Sequence, residues 1–488
     1  MFNVEFGPLQ PDTPDFTNPG LVEADNVYPI PGGYGPFESP APTDLTVTGT
    51  VIGAKRFDKS DGSRLICVAT TSDLYVLDDT SSTASALSLS LASTDRFSFE
   101  QFGPAVFATT KSGDTYYLTD IDSDTTFSAS PGTPPNANAM ARVSDFLMMG
   151  DVEDIDSTDQ PYRVRWSQFN NPQGDWTSDI ATQADYVDMP TRLGPVTGIA
   201  GGEFGLIFQT YGVSRIQYTG TKTVFSKEVI DEKRGCASPH SIVQIGPLAY
   251  YLAFDGFCRT DGSSVEVIST GEVWDWFQAT SDNNSLGKVV GVTHWQKKCI
   301  VWAFQTSENG VYSRQVIYNW EQDRWSTASQ EVDYLVEGTS DGLTLEQLAA
   351  EYPNLDTVPF SLDSNQFKAI GRVFSGIVSG TLNDFLGTNL EATFITGDRQ
   401  IVPGKRTFVD QITPHVENAS SNTQVSIGTR ETLGGTITYS ATETEGPLGF
   451  VPVAADGRYV RIKMIIPAGA LWDKATGFQV SGWESGQT

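Results

Sequence analysis

The chain has 488 residues, 60 acidic against 31 basic, for a formal net charge of −29. Hydrophobic residues make up 39% and aromatics 11%, which excludes wholesale disorder and predicts roughly two to four domains. So acidic a surface repels nucleic acid, and no Lys/Arg-rich run is present to neutralise phosphates, so ordinary DNA recognition is excluded.

The opening residues Met1–Phe6 carry neither a basic region nor an apolar core, so no secretory signal is expected. The most apolar stretches, such as Ile245 to Phe254, fall well short of a membrane span. Residues 1–50 are rich in proline, which removes backbone donors and excludes a long helix or a central strand. Phe16, Leu21, Val27, Tyr28, Tyr34 and Phe37 are nevertheless spread through them. A solvated linker has no need of these side chains. The segment therefore reads as an extended arm packed along the body or a neighbouring subunit, with Asn18 and Pro19 among its candidate contacts, against the plainer reading of a loose tail.

Residues 51–335 repeat a pattern of apolar strand, short polar turn and second strand. Copies appear at Leu65–Ala69 with Leu74–Leu77, at Ala105–Ala108 with Tyr116–Leu118, at Phe146–Met149, at Gly205–Tyr218, at Leu248–Arg259 and at Cys299–Trp320. Asp255-Gly256 and Asn309-Gly310 supply the positive φ that tight hairpins use. A spacing of roughly 40 to 60 residues is that of propeller blades, so a β-propeller-like domain is expected, with stacked β-sandwiches as the alternative. The blade number stays open.

Within this region lie two acidic segments, Asp120, Asp122 and Asp124, and then Asp151, Glu153, Asp154, Asp156 and Asp159. The first has the alternating carboxylates that open a calcium loop but lacks glycine at the sixth position and glutamate at the twelfth. Both read as acidic loops crossing a surface or a lumen. Residues 336–367 form a connector in which Thr344-Leu345-Glu346-Gln347 resembles a capping box ahead of a short helix that Pro353 stops. Residues 368–488 are strand-like again, with candidates at Leu390–Thr396, Lys405–Val409, Thr423–Ile427, Thr436–Ser440 and Tyr459–Ile466, and predict a β-sandwich or barrel. The expected fold is thus all-β.

Chemistry is sparse. The four cysteines are scattered without a C-x-x-C pair, which suits buried reduced thiols, and the three histidines offer no zinc spacing. No nucleophile elbow, Walker loop or H-E-x-x-H motif is present, and no cofactor is implied. The ten tryptophans read as propeller core ahead of a sugar-stacking surface.

The run from Asn18-Pro19-Gly20-Leu21 through Val27-Tyr28-Pro29 into Gly33-Tyr34-Gly35-Pro36-Phe37 resembles the opening of tail nozzle or tail-hub proteins of short-tailed bacteriophages. So do Arg163-Val164-Arg165-Trp166-Ser167 with Asp175-Trp176, Leu252–Phe257 with Asp261-Gly262-Ser263, Leu345 to Asp363, and Leu390–Thr393 with Pro403–Arg406. The resemblance spans most of the chain in order. It implies a propeller-containing subunit of the virion, assembled in the host bacterial cytoplasm as a homohexameric ring below the head-to-tail adaptor. It also implies contact with tail fibres, a tailspike or a plug, and transient passage of double-stranded DNA. The family brings no catalytic residues. An acidic lumen would keep DNA, with one charge per roughly 1.7 Å of axis, from adhering during ejection. The competing functions are a receptor- or glycan-binding propeller and a propeller glycosidase, the latter requiring two carboxylates that meet in a central funnel.

Overall fold

The second strands of the repeats are dominated by apolar residues, and the computed structural model shows why. It describes residues 2–78, 81–307, 311–340, 370–420 and 422–486. Arg64–Thr70, Ala105–Thr109, Gly205–Gln209 and Cys299–Phe304 are buried at every position. Each lies in the middle of a four-stranded antiparallel blade covered on both faces, so the usual in-out alternation disappears. Six such blades follow one another: blade I over 51–84, II over 98–129, III over 136–188, IV over 196–231, V over 243–267 and VI over 290–328.

Blade VII closes the ring with strands from both parts of the chain. Its inner three strands are Tyr334–Ser340, Ile370–Val378 and Thr381–Asp384, and its outermost is Ala41–Thr46. The seam pairs Thr381 with Thr46, Asn383 with Pro42 and Asp384 with Ala41. Pro42 is tolerated because an outer strand needs donors on one side only. The Thr43 hydroxyl adds a bond to the Leu382 carbonyl at 2.8 Å. The protein is therefore a seven-bladed β-propeller.

The second body is a β-sandwich. One sheet holds Arg406–Glu417, Val451–Gly457 and Lys474–Gly486 with Phe2–Glu5, Val27–Ile30 and Gly33–Pro36. The other holds Ala392–Thr396, Gln424–Arg430 and Tyr459–Ile466 with Leu21–Asp25. Here alternation returns: Val451–Gly457 and Tyr459–Ile466 bury every second residue, as strands with one wet face do. Leu21–Asp25 also runs parallel to the last strand of blade VI, with Asp25 opposite Thr327, so the sandwich sheet and that blade are continuous. One apolar core runs from Phe257, Trp302 and Trp325 of the propeller through Leu21 and Ala24 to Phe394 and Ile462 of the sandwich. Gly20 permits the entry to this joint, since a Cβ there would lie 1.9 Å from the Pro8 carbonyl oxygen.

Four expectations need correction or restatement. Residues 1–50 do more than lie along the body: residues 2–46 supply four strands to the sandwich and one to the propeller, and Leu21, Val27, Tyr28, Tyr34 and Phe37 are buried in the cores. The expected propeller boundary at 335 falls inside the strand Tyr334–Ser340, and the propeller extends to Asp384. The helix expected after Thr344 lies outside the described residues, as does the Asn309-Gly310 turn. In the sandwich, Val451–Gly457 and Lys474–Gly486 join the five strands read from sequence. Trp166, Trp176, Trp302, Trp325 and Trp472 are buried, Trp274, Trp276, Trp295 and Trp320 are half-buried, and Trp483 is exposed.

Candidate functional site

The innermost strands of all seven blades line one axial cavity of about 630 Å³. That is the volume of a small-ligand pocket, and no duplex threads a channel of this size. Its charged lining consists of Lys55 and Arg56 from blade I, Glu100 from II, Arg142 from III and Glu337 from VII. Lys55 Nζ lies 2.7 Å from Glu100 Oε2. The Arg142 guanidinium sits 4.9 Å above the Phe102 ring, and its Nε donates to the Ser144 carbonyl at 3.1 Å. Trp295 Nε1 donates to Glu337 Oε1 at 3.2 Å. His240 of the segment before blade V hydrogen-bonds the Tyr334 hydroxyl. The two carboxylates come from blades II and VII, with blade I between them, and each is engaged by a neighbouring donor. Single residues on strands some forty positions apart leave no motif, so sequence reasoning passed over all of these.

None of the eight nominated acidic residues lines this cavity. Asp120, Asp122 and Asp124 form a turn of blade II that caps its own backbone. Asp124 accepts from the amides of Thr119 and Asp120 at 2.8 and 3.0 Å, and Asp120 accepts from Asp122 at 3.0 Å. Asp122 reaches across to the Ser60 amide at 2.8 Å, and that bond holds its carboxyl below the ordinary value.

The second segment is an ion-pair network in blade III. Asp154 is buried and meets Arg163 Nη1 at 2.7 Å and Arg165 Nη1 at 3.0 Å. Arg163 also grips Asp188 through Nε at 2.8 Å, which lowers the Asp188 carboxyl. Arg165 donates to the Trp176 carbonyl. Lys111 from blade II pairs with Asp151 and, at 2.6 Å, with Asp159. Glu153 accepts from Asn136 at 3.5 Å, and Asp156, at the exposed tip, caps Thr158. Three cations thus neutralise much of what reads as an acidic loop. Among the described residues no group of three or more His, Cys, Asp or Glu side chains is arranged to hold a metal ion.

Of the nominated contact residues, only Phe16 and Pro19 are exposed. The Phe16 ring stands edge-on to Tyr459 at 5.5 Å. Asn18 is buried and ties the turn together: its Oδ1 accepts from the Gly20 amide at 2.8 Å and its Nδ2 donates to the Gln10 carbonyl at 2.8 Å. Tyr34 donates to the Gly7 carbonyl at 3.0 Å. Tyr28 and Phe37 stack at 4.7 Å, and His294 packs on Tyr28 and Phe374 in the same cluster. Burial pushes the His294 imidazole down to about 3. All four cysteines are buried and unpaired.

Among the described residues no helix is long and apolar enough to cross a membrane. No family model matches the sequence, and no curated protein matches it. Solved structures resemble it at low identity. A chain of the mitotic checkpoint complex is 12% identical with a TM-score of 0.40, covering 71% of this chain and 92% of that one. A chain from the BBS1N complex with ARL6DN is 10% identical with a TM-score of 0.39, covering 71% and 96%. A chain from YCF48 bound to D1 peptide is 10% identical with a TM-score of 0.35, covering 59% and 84%. The β-propeller assignment itself rests on the seven four-stranded blades, six of them separate sheets and blade VI continuous with the sandwich, and on the axial cavity they share.

Proposed function

We infer that the chain is a non-enzymatic structural subunit of the tail nozzle of a short-tailed bacteriophage. Six copies form a ring below the head-to-tail adaptor, carry DNA between them during ejection, and dock fibres or a plug. The observation that carries the reading is the place of the resembling stretch. Asn18 to Phe37 is the joint that inserts strands into the sandwich and runs on to the seam of the propeller. A likeness at that joint concerns how the two bodies are held together, which is what a load-carrying ring subunit has to preserve. The net charge of −29 suits a wall that DNA slides past. In this reading the conduit lies between subunits, which the small size of the axial cavity supports.

The test is the mass of the protein alone and mixed with the adaptor of its phage. A sixfold assembly in either sample supports the reading, and a monomer that ignores the adaptor overturns it. A second reading, glycan binding, is favoured by one observation: the exposed Trp483 ring lies 5.0 Å from Phe408 on the sandwich. Glycan-array binding lost in Trp483→Ala would support it.

A further inference from the structure

Most large apolar side chains at the propeller surface stand singly, and isolated exposed residues carry no message. Tyr211 and Phe254 are different. Each occupies the turn between the second and third strands of its blade, IV and V respectively, and they are 56% and 53% exposed. Their rings lie 6.3 Å apart, so two successive blades present one aromatic surface. Ile155, 42% exposed, occupies the corresponding turn of blade III.

The turns are held rigidly. The Tyr211 amide donates to the Leu193 carbonyl at 2.8 Å, and the Cys236 amide to Gln209 at 3.0 Å. Gly212 lets the chain pass, since a Cβ would lie 2.5 Å from the Asp231 carbonyl oxygen. Asp231 accepts from the amides of Lys233 and Arg234 at 2.7 and 2.6 Å. Around the rings, Arg234 Nε pairs with Asp255 Oδ2 at 2.9 Å, and Arg192 pairs with Glu232. Preorganised aromatics that lose little entropy on contact, with arginines beside them, are the composition of interface anchors.

Charge selects the occupant. The chain carries 60 acidic and 31 basic residues, so two copies repel over most of their surfaces. Beside the aromatic pair the charges are paired: Arg234 with Asp255, which follows Phe254, and Arg192, next to the Leu193 that binds the Tyr211 amide, with Glu232. A surface that is locally neutral and apolar at its centre is where like-charged copies can approach. We propose that the Tyr211–Phe254 surface of blades IV and V is a subunit contact, occupied by a second copy of this chain. The proposal rests on the ring reading above and specifies where one copy meets the next. A closed ring needs two different patches per subunit, so this face meets another surface of its neighbour.

The experiment compares the full-length protein with Tyr211→Ser/Phe254→Ser, by mass across a concentration series, alone and with the adaptor. Arg234→Glu is a second variant, which unbalances the patch and leaves both rings in place. Both retain the wild-type melting temperature, because the altered side chains lie on turns. The expected result is that each raises the concentration for half-assembly at least tenfold. Rings forming equally well in both variants overturn the assignment of the patch and leave the ring intact. Failure of the wild-type protein to self-associate under any condition overturns the ring reading and this occupant together.

Discussion

The first forty-six residues read from sequence as a packed arm and the acidic segments of blades II and III as surface or lumen loops, and they are built in opposite ways. The amino-terminal residues are proline-rich and look loose, yet Leu21, Val27, Tyr28, Tyr34 and Phe37 are fully buried. The acidic segments look alike on paper, but Asp120–Asp124 caps its own turn while Asp154 is buried between two arginines. Composition gives the kind of side chain. It does not say whether a distant strand arrives to cover it.

The sharpest way to break this comparison is Phe37→Ala. Phe37 stacks on Tyr28 and meets Phe374 and Phe385 edge-on at 6.1 and 5.7 Å, so truncation should cost about 4 kcal/mol in urea unfolding. A loss below about 1 kcal/mol would return the segment to the status of a loose arm. Asp154→Asn comes next. It strips the counter-charge from the buried Arg165 and should cost about 3 kcal/mol, where a surface aspartate costs almost nothing.

Acid gives a third effect. His294 titrates at its ordinary 6.5 when unfolded and near 3 in its buried stack, so the folded state binds fewer protons between those values. The stability it contributes is present above pH 6.5 and is lost as pH falls below it, by ~2 kcal/mol at pH 5. Urea midpoints at pH 7 and pH 5 should show that drop, and His294→Phe should flatten it. The smallest effect belongs to Asp124→Ala, where lost turn caps should cost about 1 kcal/mol and leave spectra of other blades unchanged.

Much of the propeller was legible because its signal is local. Leu65–Ala69 and Leu74–Leu77 announce a hairpin within thirteen positions, and the same holds for Ala105–Leu118 and Leu248–Arg259. Blade VII was not legible, since its outer strand lies more than three hundred residues from its partners, and a six-residue segment containing Pro42 carries no sign of where it pairs. Val451–Gly457 was hidden for another reason: its outward positions are Pro452, Ala454 and Asp456, a weak polar face. At the candidate sites, pairing partners decide the outcome. Arg163 and Arg165 lie further along the strand that Asp159 opens, and Lys111 sits on a turn of blade II, so Asp151–Asp159 keeps its acidic appearance until the hairpin closes and the blades meet. The Tyr211–Phe254 contact likewise joins residues forty-three positions apart.

The amino-terminal joint also changes what a deletion means. Removing everything before Val51 takes five strands from the two bodies, so failure of such a variant to assemble would report misfolding and not a lost subunit bridge. Point changes on exposed turns are the informative ones.

The central claim is that residues 2–46 are the structural joint between propeller and sandwich. Native-state hydrogen exchange on the intact protein tests it most directly. The account predicts that amides of Leu21–Asp25 and Val27–Ile30 exchange as slowly as those of Gln424–Arg430 and Cys299–Phe304, with one common opening free energy. Amino-terminal amides that exchange within seconds while those strands stay protected would contradict it.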